Sequence, residues 1–232
     1  MRNVILLIVA AMLVTTSMAG AASVVGSGHD LSSGGPNVAF RATNTDRVCV
    51  FCHTPHQSDA PFYDVDPLWN HAETVTVFNV YASATLNADE LVGPDTPITP
   101  IVSGDASYLC MSCHDGTIGL GSLLNDPNIA VGGVEVIPDN SGTFISGNAL
   151  VGTDLSNDHP INFTYDASLV AIDNELVTPN SAQFVDVGQN IPLFTNATLQ
   201  CSSCHEVHDP AIVPFLNVSN AASALCLECH IK

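Results

Sequence analysis

The sequence predicts a loop-rich, irregular fold: short helices, a few short strands, and no layered apolar core built from the chain alone. Three observations point there. The 232 residues include 16 Gly and 14 Pro, which interrupt regular structure throughout. Long amphipathic stretches are few, so no segment offers a face wide enough to organise a core. Four short segments of one pattern, C-x-x-C-H, recur along the chain.

Residues 1–22 read as a secretory signal peptide. Arg2 supplies a basic start, Val4 to Val14 an apolar run, and Ser17 to Ala22 a small-residue cleavage region. The run is short of the ~20 residues a membrane-spanning helix needs, and no later segment reads as transmembrane. Residues 23–232 are then expected to form a single domain. Short helices carry the C-x-x-C-H segments, with Asp46, Asp105, Thr198 and Asn220 as N-caps a few residues before them. The clearest helical pattern covers Asn220 to Cys229. Strand-like runs are Thr74–Tyr81, Val134–Ile137 and Ile161–Tyr165. The stretch from Asp115 to Gln200 holds no cysteine and a single histidine, His159, and marks no separate domain.

The charge is one-sided. Asp and Glu number 23 against four basic residues, for a net charge of −19. Arg2 lies in the leader, so Arg41, Arg47 and Lys232 are the only cations of the mature chain. Such a surface repels nucleic acid and anionic lipid. It suits cations, metal ions or basic partners, or serves solubility alone.

The cysteines carry the chemistry. All eight fall into C-x-x-C pairs: Cys49/Cys52, Cys110/Cys113, Cys201/Cys204 and Cys226/Cys229. Each pair is followed at once by a histidine: His53, His114, His205 and His230. C-x-x-C-H is the attachment signature of c-type haem. The two thiols add across the haem vinyl groups, and the adjacent imidazole falls beneath the iron as the proximal ligand. A zinc ribbon needs no histidine after each pair, and a redox dithiol needs one pair only. Four repeats of the complete signature point to four covalent haem c groups. The porphyrins would then supply the core the chain lacks, and folding would depend on their insertion.

Each iron also needs a distal ligand. Met1, Met12 and Met18 lie in the leader, and Met111 sits between two haem-bound cysteines, where it cannot reach the far face of its own haem. Lys232 is the only lysine. Five further histidines remain, His29, His56, His71, His159 and His208, which is one more than four bis-His irons require. His56 and His208 each follow a proximal histidine by three residues. They cannot fold back over their own haem but are placed to ligate a neighbouring one. His29 and His159 sit in polar loops beside Asp30 and Asp158, either of which could orient its imidazole. His71 follows Leu68-Trp69-Asn70, an apolar stretch that reads as packing, so His71 is held in reserve. Bis-His irons would be low-spin and saturated, at low potential compared with His/Met cytochromes.

Several segments are similar to secreted multihaem cytochromes of metal-reducing bacteria. They are Gly28-His29-Asp30-Leu31-Ser32, Arg47 through His56, Pro67-Leu68-Trp69-Asn70, Leu109 through Gly116, Asp158-His159-Pro160 and Ala224 through His230. The resemblance spans nearly the whole mature chain and extends to the tetrahaem subunits of extracellular cytochrome filaments. It implies bis-His haems stacked in a continuous chain along a homopolymer, at the cell surface or beyond. It implies long-range electron transport to outside acceptors, either redox proteins or extracellular metal oxides. It also implies that one axial histidine comes from the adjacent subunit, a role that corresponds here to His56. In the family pattern Trp-Asn is often followed by a residue other than His, in keeping with leaving His71 out. Two other functions compete: a discrete periplasmic or outer-surface carrier with the same haems, and a multihaem reductase with one open iron. The histidine surplus disfavours the reductase, so no enzymatic activity is expected.

Overall fold

The computed structural model describes residues 23–56, 68–88, 101, 105–125, 130–131, 134–135, 143–179, 186–187 and 191–231. The leader reading for residues 1–22 lies outside them, as do Pro67 and Ile137.

The helices are short because specific residues bound them. Helix α1 (Ala106–His114) is the longest among the described residues, at nine residues. Asp105 stands at its N-cap in extended conformation but makes no side-chain cap. Its carboxylate instead accepts from Asn162 Nδ2 at 2.9 Å and Gln200 Nε2 at 3.4 Å. Gln200 Oε1 takes the free first-turn N–H of Ser107 at 2.8 Å. At the other end Gly116 adopts φ 75°, and a Cβ there would stand 2.5 Å from Leu150 Cδ1. Glycine therefore ends the helix both by its handedness and by its lack of bulk.

Helix α2 (Ala167–Ile172) is capped by Asp166, whose Oδ1 accepts from the Ser168 and Leu169 N–H groups. Helix α3 (Cys201–Cys204) starts at Gln200, which forms a reciprocal capping box with Ser203. Thr198, expected as that cap, lies in a strand. Helix α4 (Ala224–Leu227) is separated from a 3₁₀ turn (Ala221–Ser223) by positive φ angles at Ala222 and Ser223. The continuous helix expected over Asn220–Cys229 is thus broken, and Asn220 makes no capping bond. The first motif carries only a 3₁₀ turn, Cys49–Phe51, entered from Val48 and not from Asp46.

Among the described residues there are six strands of two residues each: β1 (Ala130–Val131), β2 (Val134–Glu135), β3 (Phe163–Thr164), β4 (Asp186–Val187), β5 (Ile191–Pro192) and β6 (Thr198–Leu199). They form three separate antiparallel ribbons, β1 with β2, β3 with β6 and β4 with β5. Residues 74–81 form no strand. Their alternation is there, with Thr74 and Phe78 buried and Val75 and Val77 at 96% and 88% exposure. Among the described residues they find no ladder partner beyond a bridge of Asn79 to Asp154.

Among the described residues the apolar interior is divided among three small clusters. Ala42, Phe51, Leu120, Leu123 and Val131 form one, with Cys52 and Cys113 packed against it. Phe78, Ile101, Tyr108, Met111 and Leu155 form a second. The largest, around Tyr165, Leu169, Leu176, Ile191, Leu193 and Leu199, includes Cys229 at its edge. The fold is loop-rich, and its apolar clusters lie beside the cysteine motifs. Among the described residues no helix is long and apolar enough to cross a membrane.

Candidate metal centres

Each motif histidine is clamped through its backbone. The Asn70 N–H donates to the Cys52 carbonyl (3.0 Å) and the Thr54 N–H to the Leu68 carbonyl (2.8 Å), so His53 bridges Trp69. The same arrangement pairs His205 with Leu216 and His230 with Leu176. At His114, the end of α1, the Val151 and Gly152 N–H groups both donate to its carbonyl. Two side chains reinforce these clamps. Buried Asn70 donates through Nδ2 to the carbonyls of Val50 (2.6 Å) and Asn125 (3.0 Å), and its Oδ1 accepts from the Asn125 N–H (2.8 Å). The Tyr165 hydroxyl reaches the carbonyls of Val177 (2.7 Å) and Cys229 (3.1 Å).

Several rings are oriented as well. Nδ1 meets a backbone carbonyl at His114 (Ala149, 2.7 Å), His205 (Pro214, 2.9 Å) and His159 (Pro160, 2.8 Å). A carbonyl can only accept, so Nδ1 carries the proton and Nε2 presents its lone pair. That is how metal-ligating imidazoles are usually held. Nδ1 of His208 lies 3.2 Å from Glu206 Oε1. Burial, then the neighbouring His114, push His29 down to about 4, against an opposing contribution from the Val207 carbonyl. A neutral His29 keeps a lone pair free for a metal.

The histidines meet in twos. His114 faces His29 with ring centroids 6.1 Å apart, His53 faces His208 at 6.1 Å, and His230 faces His159 at 6.3 Å. Each pair joins one motif histidine to one of the expected distal ligands. Metal–imidazole bonds run about 2.0–2.1 Å and each bonding nitrogen lies ~1.1 Å from its ring centre, so two imidazoles on opposite faces of one metal have centroids about 6.3 Å apart. The residues therefore fit an iron held between two histidines. Among the described residues no three His, Cys, Asp or Glu side chains converge as a zinc site would require.

The remaining motif histidine, His205 of the third motif, has no histidine ring facing it among the described residues. His56 is exposed and faces none either; its carbonyl accepts from Thr54 Oγ1 at 2.8 Å. His71 is fully buried, with Nδ1 2.8 Å from the Ala72 carbonyl and Nε2 3.1 Å from the Gly119 carbonyl. Burial lowers its pKa despite those carbonyls.

None of the eight cysteines forms a disulfide. Burial pushes the Cys52 and Cys113 thiols up to about 12. Cys110 and Cys201 hydrogen-bond to each other, which lowers Cys201 and raises Cys110. That contact brings the second and third motifs edge to edge. At the fourth, a cavity of about 720 Å³ is lined by Cys226, Leu227 and His230 together with Ile172, Asp173 and Glu175.

Asn70, Tyr165 and the carbonyl-bearing loops at Ala149 and Pro214 carried no sequence signal of their own. Asn70 lies in a segment that carries the family resemblance, but its role as a brace depends on Val50 and Asn125, distant in sequence.

A doubled CXXCH motif family model matches residues 195–232, which hold the third and fourth motifs. No curated protein matches the chain. The matched motifs indicate covalent haem c binding and suggest a c-type cytochrome-like protein.

Proposed function

We propose that the chain is an electron-transfer protein carrying four covalent c-type haems with bis-His axial ligation. One observation carries the reading: three motif histidines, His53, His114 and His230, face His208, His29 and His159 at the separation a bis-His metal requires. Bound haem supplies one-electron chemistry at iron. The chain's part is to attach, orient and enclose. The cysteines are the anchors, the Ala149, Pro214 and Pro160 carbonyls orient imidazoles, and the apolar clusters exclude water beside the motifs. The test is haem stoichiometry by mass spectrometry, with electron paramagnetic resonance of His29→Ala, His159→Ala and His208→Ala. Four haems per chain are expected, with one iron turning high-spin in each variant. Fewer haems, or variants that stay low-spin, would refute the reading.

A second element of the proposal is assembly. His205 is oriented by Pro214 yet faces no histidine among the described residues, while His56 is exposed and faces none. The resemblance to filament subunits makes His56 the ligand given to a second copy. The chain would then be secreted and polymerise, carrying electrons to external acceptors. His56→Ala should keep four haems, turn one iron high-spin and weaken polymers seen by electron microscopy. Normal filaments with all irons low-spin in that variant would sink the assembly reading and leave a discrete carrier.

A further inference from the structure

The orienting interactions of the paired histidines are uneven. Nδ1 meets a backbone carbonyl at His114 and His159, and a carboxylate at His208. His29 is different. Its Nδ1 is buried and makes no hydrogen bond of ordinary geometry, although the Val207 carbonyl lies near the ring. What touches the imidazole instead is a side chain: the Phe215 ring, at a centroid distance of 4.4 Å and an interplanar angle of 36°. The preceding residue follows the same surface, since a Cβ on Gly28 would stand 3.7 Å from the Phe215 ring.

Phe215 is itself held in an unusual way. Its φ is 62°, in the left-handed region that bulky residues enter only when their surroundings over-determine them. The surroundings do so here. The Phe215 carbonyl accepts from the Glu206 N–H at 2.7 Å, and Leu216 bridges His205. The carbonyl one residue earlier, on Pro214, orients the His205 ring at 2.9 Å. One turn therefore touches ligand histidines of two motif sites, His205 through a carbonyl and His29 through an aromatic face.

We infer that Phe215 is a positioning residue for His29, doing by ring packing what a backbone carbonyl does at His114 and His159, and that the Pro214–Phe215 turn ties the axial geometry of the second haem to that of the third. The inference rests on the proposed haem ligation. A packed ring restricts rotation of the imidazole about its bond to the metal without adding negative charge behind it. A carbonyl hydrogen bond raises ligand basicity, and an aromatic face does not. His29 should then be a more weakly donating ligand than His159, whose Nδ1 meets the Pro160 carbonyl.

The experiment uses the full haem-loaded chain with Phe215→Leu, Phe215→Ala, Phe215→Tyr and, as control, His29→Ala. Haem content is read by mass spectrometry, ligation by electron paramagnetic resonance, and potentials by spectroelectrochemistry. Phe215→Leu keeps apolar bulk but loses the flat face. It should keep all haems while altering the low-spin signal and potential of about one iron in four, or turning that iron partly high-spin. Phe215→Ala should do the same more strongly, and Phe215→Tyr should match the wild type. Phe215→Leu carries the test should the alanine variant not accumulate. If His29→Ala makes one iron high-spin while Phe215→Leu is indistinguishable from wild type, the role of Phe215 is overturned and the ligation stands. If His29→Ala leaves every iron low-spin, the ligation itself is overturned, and the inference falls with it.

Discussion

Replacing His71 with alanine separates a structural histidine from a ligand. The ring is fully buried, and each nitrogen faces a backbone carbonyl, Ala72 at 2.8 Å and Gly119 at 3.1 Å. A neutral imidazole has one N–H, so it satisfies one carbonyl. Losing that bond costs about 1 kcal/mol. The void left by truncating a large buried side chain adds ~2–3 kcal/mol, since close-packed surroundings collapse only partly. The total, about 3–4 kcal/mol, is a large share of the ~5–15 kcal/mol that holds a typical domain folded. For a chain of this size it corresponds to a fall in Tm of roughly 6–16 °C. Calorimetry on the haem-loaded protein measures the fall, and absorption and paramagnetic resonance spectra of the same sample read the irons. The expected result is a clearly less stable protein with an unchanged low-spin spectrum. A new high-spin iron, or a loss below about 1 kcal/mol, would refute the assignment of His71 to packing.

Other tests follow from the clamps. Asn70→Ala removes three hydrogen bonds that tie the first motif to Asn125, and should cost about 2–4 kcal/mol in urea titration and speed amide exchange at Cys52 and Thr54. Asp166→Ala removes the cap of α2 and should cost about 1 kcal/mol by the same titration, leaving the iron spectra untouched. Tyr165→Phe should loosen the fourth motif alone by about 1 kcal/mol. Burial holds the Tyr165 phenol above its ordinary range, so its stabilisation is intact below pH ~10, the unfolded value, and is lost as pH rises beyond it. Alkaline unfolding curves should therefore be flatter for Tyr165→Phe than for wild type. Finally, the imidazole planes lie 15° apart at His53/His208 but 89° and 70° apart at the other two pairs. Near-parallel planes separate the iron dπ orbitals and crossed planes leave them nearly degenerate, so low-spin spectra should contain both kinds of signal, and a uniform spectrum would contradict the geometry.

Much of the chemistry was legible in the sequence because it is covalent and local. C-x-x-C-H needs only five consecutive residues to declare a haem anchor, and its repetition at Cys49, Cys110, Cys201 and Cys226 needs no fold to be read. Composition likewise announced a loop-rich chain. Helix ends were less legible. Asp105 lies at a helix start, but its carboxylate serves Asn162 and Gln200, and the cap of α3 is Gln200 and not Thr198. The α3 cap is local, a box between Gln200 and Ser203 that the Ser/Thr/Asp/Asn preference for caps does not announce, whereas the diversion of Asp105 depends on partners more than fifty residues away, which outweigh local propensity. The strand expected over residues 74–81 shows the same limit: alternation prepares a face, but a ladder needs a neighbour.

The pairing of histidines is what only the tertiary structure decided. Spacing alone could supply five candidates and no partner for any of them. Which ring faces which is set by where loops distant in sequence converge, bringing His29 to His114 and His208 to His53. The same convergence buries His71 between two carbonyls and sets Phe215 against His29. The sequence by itself determined where the four C-x-x-C-H motifs stand, because a motif of five consecutive residues needs no fold. The proposed ligation requires two imidazoles at a fixed separation, and that separation exists only once the chain has folded.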